Sequence, residues 1–258
     1  MAMKLSMTID DRDISEFGLK LVGYKTDSFP KKKTPGVDIP GAHGLQVVPS
    51  ALSSRKLEVT IVCEDTTAEK VNDKIRKFFA FMFSNENDKS IVFSDDPSIV
   101  RYAGLSEPGE YRVTQGVDSA MTQITLNFTM SDPFEYEVES VTISKTLQNG
   151  ESFILDNDSM ECPAVFGIKN NDIEHIHGIT DIVLTVNGEE VRILAPVTLP
   201  DILVIDTKNY ELRLNGIVRL DLWEGEMPQL KNGKNVISIS NAEGVPLTVS
   251  VRYTKIWI

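Results

Sequence analysis

The chain has 258 residues, 41% apolar and 25% charged, with 16 glycines and 12 prolines. That composition excludes a disordered, collagenous or coiled-coil protein, and the length suggests about two domains. Lys and Arg number 26 against 38 Asp and Glu, a net charge of −12; both halves are acidic, so sequence-specific nucleic-acid binding is not expected.

The longest apolar run, Phe78 to Phe83, is far shorter than the ~18 residues of a membrane span. The acidic opening stretch lacks a signal-peptide core. Cys63 and Cys162 lie far apart and form no disulfide framework, which fits a reducing site of synthesis.

Leu5, Met7 and Ile9 alternate with polar neighbours as on a half-buried strand, and Glu16–Val22 reads as a second strand. Residues 30–54 fit neither period: four prolines and three glycines interrupt Val37, Ile39, Leu45, Val47 and Val48. A stretch without strand or helix pattern, yet too apolar for a plain linker, predicts an arm that packs on something outside its own domain. Leu57, Val59, Ile61 and Cys63 return to a period of two.

A helix over about 67–83 follows. Thr66 and Glu69 stand in the capping-box relation, Val71, Ile75, Phe78, Phe79 and Met82 form one apolar stripe, and Asp73 faces Lys77 one turn on. Then come a strand at Ile91–Phe93, a turn at 94–97, a strand near Tyr111–Gln115, and a long alternating strand Ile124–Met130 closed by Ser131-Asp132-Pro133. One helix among strands predicts an α+β first domain, residues 1–137.

Beyond about Glu139 no helical period appears. Short β segments recur at 141–147, 152–155, 164–168, 182–186, 191–194, 203–205, 210–214, 217–222, 236–239 and 247–253. Asn187-Gly188 and Asn215-Gly216 read as two-residue hairpin turns. The pattern predicts a β-sandwich over 138–258, and a mainly β protein overall.

Candidate chemistry is sparse. His175 and His177 share a strand face and resemble half a metal site, but no third ligand stands at a characteristic spacing, so exposed loop residues are the plainer reading. Asp10-Asp11-Arg12-Asp13 lacks the calcium-loop pattern. The glycine-rich 36–44 stretch is no phosphate loop. Tyr210, Trp223 and Trp257 are candidates for stacking on a sugar, although core packing is the commoner use of such rings. No nucleophile elbow, zincin motif or kinase set occurs, and no cofactor is expected.

The order of features carries more than any motif. Ile39-Pro40-Gly41-Ala42-His43-Gly44, the strand to Cys63, the helix, Ile91-Val92-Phe93-Ser94-Asp95-Asp96-Pro97, and Phe128-x-x-x-Asp132-Pro133-Phe134-x-Tyr136 appear in succession. This resembles the distal tail protein (Dit) family of long-tailed phages and prophages of Gram-positive bacteria. In the second half Pro163–Ile168, Asn187-Gly188, Leu203–Asp206 and Leu230–Asn235 are similar to that family's galectin-like, jelly-roll sandwich.

The resemblance implies a non-enzymatic virion protein, made in the host cytoplasm and placed at the tail tip. It implies a hexameric ring, formed with other copies of itself, that joins the tail-tube protein to a tail-associated lysin or a fibre or receptor-binding protein. The subunit-interface arm would then comprise Pro35, Val37, Ile39, Pro40, Gly41, Gly44, Val47 and Val48, and DNA would pass an acidic lumen. A carbohydrate-binding sandwich using Tyr210 and Trp223, and a sandwich glycoside hydrolase with paired carboxylates, are the alternatives.

Overall fold

The structure is a computed structural model that describes residues 5–33, 36–38, 45–47, 51–84, 88–170, 174, 178–198 and 201–258. It divides into two compact units, Met1–Val138 with Ile258, and Glu139–Trp257. It is mainly β, as the sequence predicts.

The first unit runs β1 (Met7–Ile9), β2 (Arg12–Asp13), a 3-10 turn (Ile14–Phe17), β3 (Leu19–Thr26), β4 (Lys32–Lys33), β5 (Gly36–Asp38), β6 (Leu45–Val47), β7 (Ala51–Leu52) and β8 (Arg55–Asp65). Helix α1 (Ala68–Met82) follows, then β9 (Lys89–Phe93), β10 (Asp96–Pro108), β11 (Thr114–Gln115), β12 (Ala120–Met130) and β13 (Glu135–Glu137). The main sheet has the order β2-β1-β9-β10-β12-β8-β3.

Every second residue of β8 and β12 turns inward, and Leu57, Val59, Ile61, Leu126, Phe128 and Met130 are fully buried. Val71, Ile75, Phe78 and Met82 of α1 close over them. Burying such a side chain stabilises by roughly 1.5–3 kcal/mol, so this stripe outweighs helix propensity in fixing α1. The Phe78 ring meets Phe17 edge-on at 5.7 Å.

Two expectations change here, the helix cap and the start of β3, and one is met. The helix cap is Thr67, whose side chain accepts from Lys70 N, while the Thr66 amide and hydroxyl both donate to Asp65 Oδ1, at 2.6 and 3.2 Å. The Asp73–Lys77 pair forms at 2.7 Å. Glu16 belongs to the 3-10 turn, capped by Asp13 and ended by Gly18 at φ +72°, so the strand begins at Leu19.

The expected turn forms at Ser94 and Asp95, but the long strand β10 that follows it was not expected, and of the strand expected near 111–115 only Thr114–Gln115 pairs. The first half of β10 pairs with β9 and its second with β12. Gly109 then passes so close to β12 that a Cβ would lie 2.0 Å from Thr125 O, a position only glycine fits.

The second unit comprises β14 (Val141–Leu147), β15 (Ser152–Asn157), β16 (Ala164–Asn170), β17 (Ile182–Val186), β18 (Glu189–Ile193), β19 (Ile202–Asp206), β20 (Glu211–Leu214), β21 (Ile217–Val218), β22 (Trp223–Gly225), β23 (Gly233–Ser240) and β24 (Leu247–Tyr253). Two antiparallel sheets result, β14-β24-β16-β19-β20-β21 and β15-β23-β17-β18-β22. Asn187 and Gly188 at φ +54° and +88°, and Asn215 and Gly216 at +53° and +82°, make the two predicted hairpin turns. The expected strand 217–222 stops at Val218 and gives way to a 3-10 turn, Leu220–Leu222.

Candidate assembly surfaces

The expected arm is the connection between β3 and β8. It is a hairpin rather than a stretch without pairing: Lys32 pairs with Leu52, Lys33 with Ala51, Gly36 with Val47, Val37 with Gln46 and Asp38 with Leu45. The prolines fall between these paired residues, so none has to donate to the ladder. Of the arm residues named above, Val37 lies in β5 and Val47 in β6; Pro35, Ile39, Pro40, Gly41, Gly44 and Val48 lie outside the described residues.

The root of the hairpin is pinned. Asp27 N donates to Lys56 O at 3.2 Å and Lys56 N returns a bond to Asp27 Oδ2. The Arg55 guanidinium donates to Asp27 O at 2.9 and 3.1 Å. Beside it Phe29 is 75% exposed.

Arg55 also ties the root to the end of the unit. It donates to Pro133 O at 3.1 Å and lies 3.3 Å from the Glu135 carboxylate. Glu135 accepts from Arg101 Nε at 3.0 Å, and Arg101 reaches Asp96 at 3.1 Å. Asp132 accepts from Phe134 N and, at 2.5 Å, from the Tyr136 hydroxyl. Burial first, then this bond to Asp132, push the Tyr136 phenol well above its ordinary range. The Asp132-Pro133-Phe134-x-Tyr136 motif is therefore a device of the fold, ending β12 and laying β13 on β10.

Sequence reasoning missed this cluster, although one signal was present. Arg55 stands in step with Leu57, Val59 and Ile61 on the inward face of β8, and an inward charge demands a buried partner.

An open groove of about 570 Å³ lies between α1 and the segment after β10, lined by Phe79, Phe83, Gly109, Glu110 and Tyr111. Phe79 and Phe83 stack one turn apart at 6.3 Å. Phe83 is 62% exposed, and Tyr111 is also exposed.

In the second unit Tyr210 is exposed at the β19–β20 turn with φ +55°, on the sheet that ends in β21. Trp223 is half-buried in β22 of the other sheet, its indole nitrogen buried. The two rings thus belong to different sheets. His175 and His177 lie outside the described residues, and among the described residues no three His, Cys, Asp or Glu gather as metal ligands.

Residues 12–130 match the sequence model of the phage tail protein RIFT-related domain. The fold is similar to the crystal structure of Dit of phage SPP1, a paradigm of the hub adsorption apparatus in phages infecting Gram-positive bacteria. The TM-score is 0.74 at 17% identity, over 98% of this chain and 99% of that one. A chain of the phage P2 baseplate, in its activated conformation with calcium, gives a TM-score of 0.50 at 9% identity over 98% of both chains. Among curated proteins there is no match.

Sequence and fold point to the same class: the matched model is of a phage tail protein domain, and the similar structures come from phage tails. Residues 12–130 thus resemble a phage tail protein domain, and the fold of the chain is similar to that of a distal tail protein, the family that the Phe128–Tyr136 motif resembles.

Proposed function

We propose that this chain is the hub at the distal tip of a long-tailed phage or prophage tail. Copies assemble head to tail into a ring, sixfold by the family resemblance, that joins the tail tube to the lysin, fibre or receptor-binding apparatus. The observation that carries this reading is the likeness to SPP1 Dit over 98% of the chain. The hairpin arm supports it, because a heterologous ring contact needs a reaching element on one side and a different receiving surface on the other. A net charge of −12 suits a ring through which DNA passes, since an acidic wall repels phosphates. The role is structural and involves no catalytic step.

Antibody labelling of intact particles tests the location. Gold at the distal tail end, seen by electron microscopy, is the expected result. Label along the shaft or on the head overturns it.

A further inference from the structure

We propose that the groove between α1 and the segment after β10 is the seat of the arm of a second copy of this chain. The inference rests on the reading of the arm as an assembly element and names the surface that receives it.

Topology supplies the first argument. In the block β10-β12-β8-β3 the arm springs from the β3 flank, between β3 and β8, while the groove opens on the β10 side. Reaching element and receiving surface thus sit on opposite flanks of one sheet. That is the arrangement a repeated head-to-tail contact requires, and it disfavours a twofold contact between like surfaces.

Chemistry supplies the second. The groove offers Phe79, Phe83 and Tyr111 as an aromatic floor, and Val117 and Met121 extend the exposed apolar area along the same flank. The arm sequence brings Val37, Ile39, Leu45, Val47 and Val48. Among the described residues β5 and β6 pair only with each other, so the main-chain pairing does not tie this part of the arm to its own sheet.

Charge supplies the third. Among the described residues Glu110 is the charged residue lining the groove, and exposed Glu107 and Arg112 on either side of it offset one another, which leaves the Glu110 charge. The arm stem carries Lys31-Lys32-Lys33, of which Lys31 and Lys32 are exposed. A lysine lays its methylenes on aromatic rings while its ammonium meets a carboxylate or a ring face, and the seat provides both.

The test uses the full chain with p-benzoylphenylalanine in place of Tyr111, assembled with its tail-tube partner from a mixture of light and isotope-labelled copies. Illumination is expected to join position 111 of one copy to residues 30–54 of another. Assembled copies joined through any other segment, or not joined from 111, overturn the seat. A charge swap gives a second readout: Glu110→Lys lowers the assembled fraction, and adding Lys32→Glu restores it; failure to restore counts against the seat. Phe83→Ala, at an exposed position, weakens assembly with an unchanged thermal midpoint. If replacing 34–48 abolishes assembly while the Glu110 and Phe83 variants assemble normally, the arm reading stands and the groove falls. If assembly survives without the arm, both fall.

Discussion

Glu135 is the residue on which the first unit's charges balance. It faces Arg101 and Arg55, whose side chains are 6% and 3% exposed. Removing one partner of a buried ion pair leaves an uncompensated charge and costs about 3–5 kcal/mol, so Glu135→Ala should lower urea-measured stability by that amount. Asp73→Ala loses only an exposed helix pair with Lys77 and should change it by under about 0.5 kcal/mol. Near-equal effects would contradict the network. Asp65 offers a pH test. The Lys74 ammonium at 2.8 Å, with the Thr66 amide, holds its carboxyl at about 2 instead of 3.8. A carboxyl lowered on folding stabilises fully above its ordinary value and stops doing so as the pH falls through about 2. Lys74→Ala should raise the Asp65 value in a carbon-detected NMR titration and make acid unfolding begin at higher pH. Cys63 and Cys162 are both buried, which raises Cys162 to about 11 and raises Cys63 as well, so neither thiol should react with a disulfide reagent until the chain unfolds.

At the scale of elements, α1 is the part the sequence states most openly, because its stripe has one period and one partner sheet. Ile75 and Phe78 are 1% and 0% exposed; Ile75→Ala and Phe78→Ala should each destabilise by roughly 2–5 kcal/mol, against under about 0.5 kcal/mol for Lys77→Ala. Three equally small effects in a denaturant series would contradict the packing. The strands of the second unit are legible for the same reason, each alternating against one core and several punctuated by Asn-Gly. β10 was illegible because it serves two partners: Val100 and Arg101 are buried in succession, and the register slips between Leu105 and Glu107, so no period survives. The arm was legible as something apart but not as a hairpin, since its paired residues come in twos and threes between prolines. The groove was invisible, because Phe79 and Tyr111 line it together only once α1 and the segment after β10 have packed.

For the whole molecule, the division between arm and body is the feature that assembly would use. Among the described residues the β5–β6 ladder pairs with no other strand, whereas β4–β7 and the Asp27–Lys56 bonds close the root. Replacing 34–48 by a short Gly/Ser linker should leave the thermal midpoint within a few degrees, because loop closure entropy depends only logarithmically on length, while assembly is lost. Unfolding on replacement would show that the arm is internal to the domain. The central claim, that copies close into a ring at the tail tip, is tested most directly by mass photometry of the full chain at micromolar concentration, alone and with its tail-tube partner. The account predicts a discrete particle at six subunit masses, at least when the partner is present. A chain that stays monomeric under both conditions would contradict it.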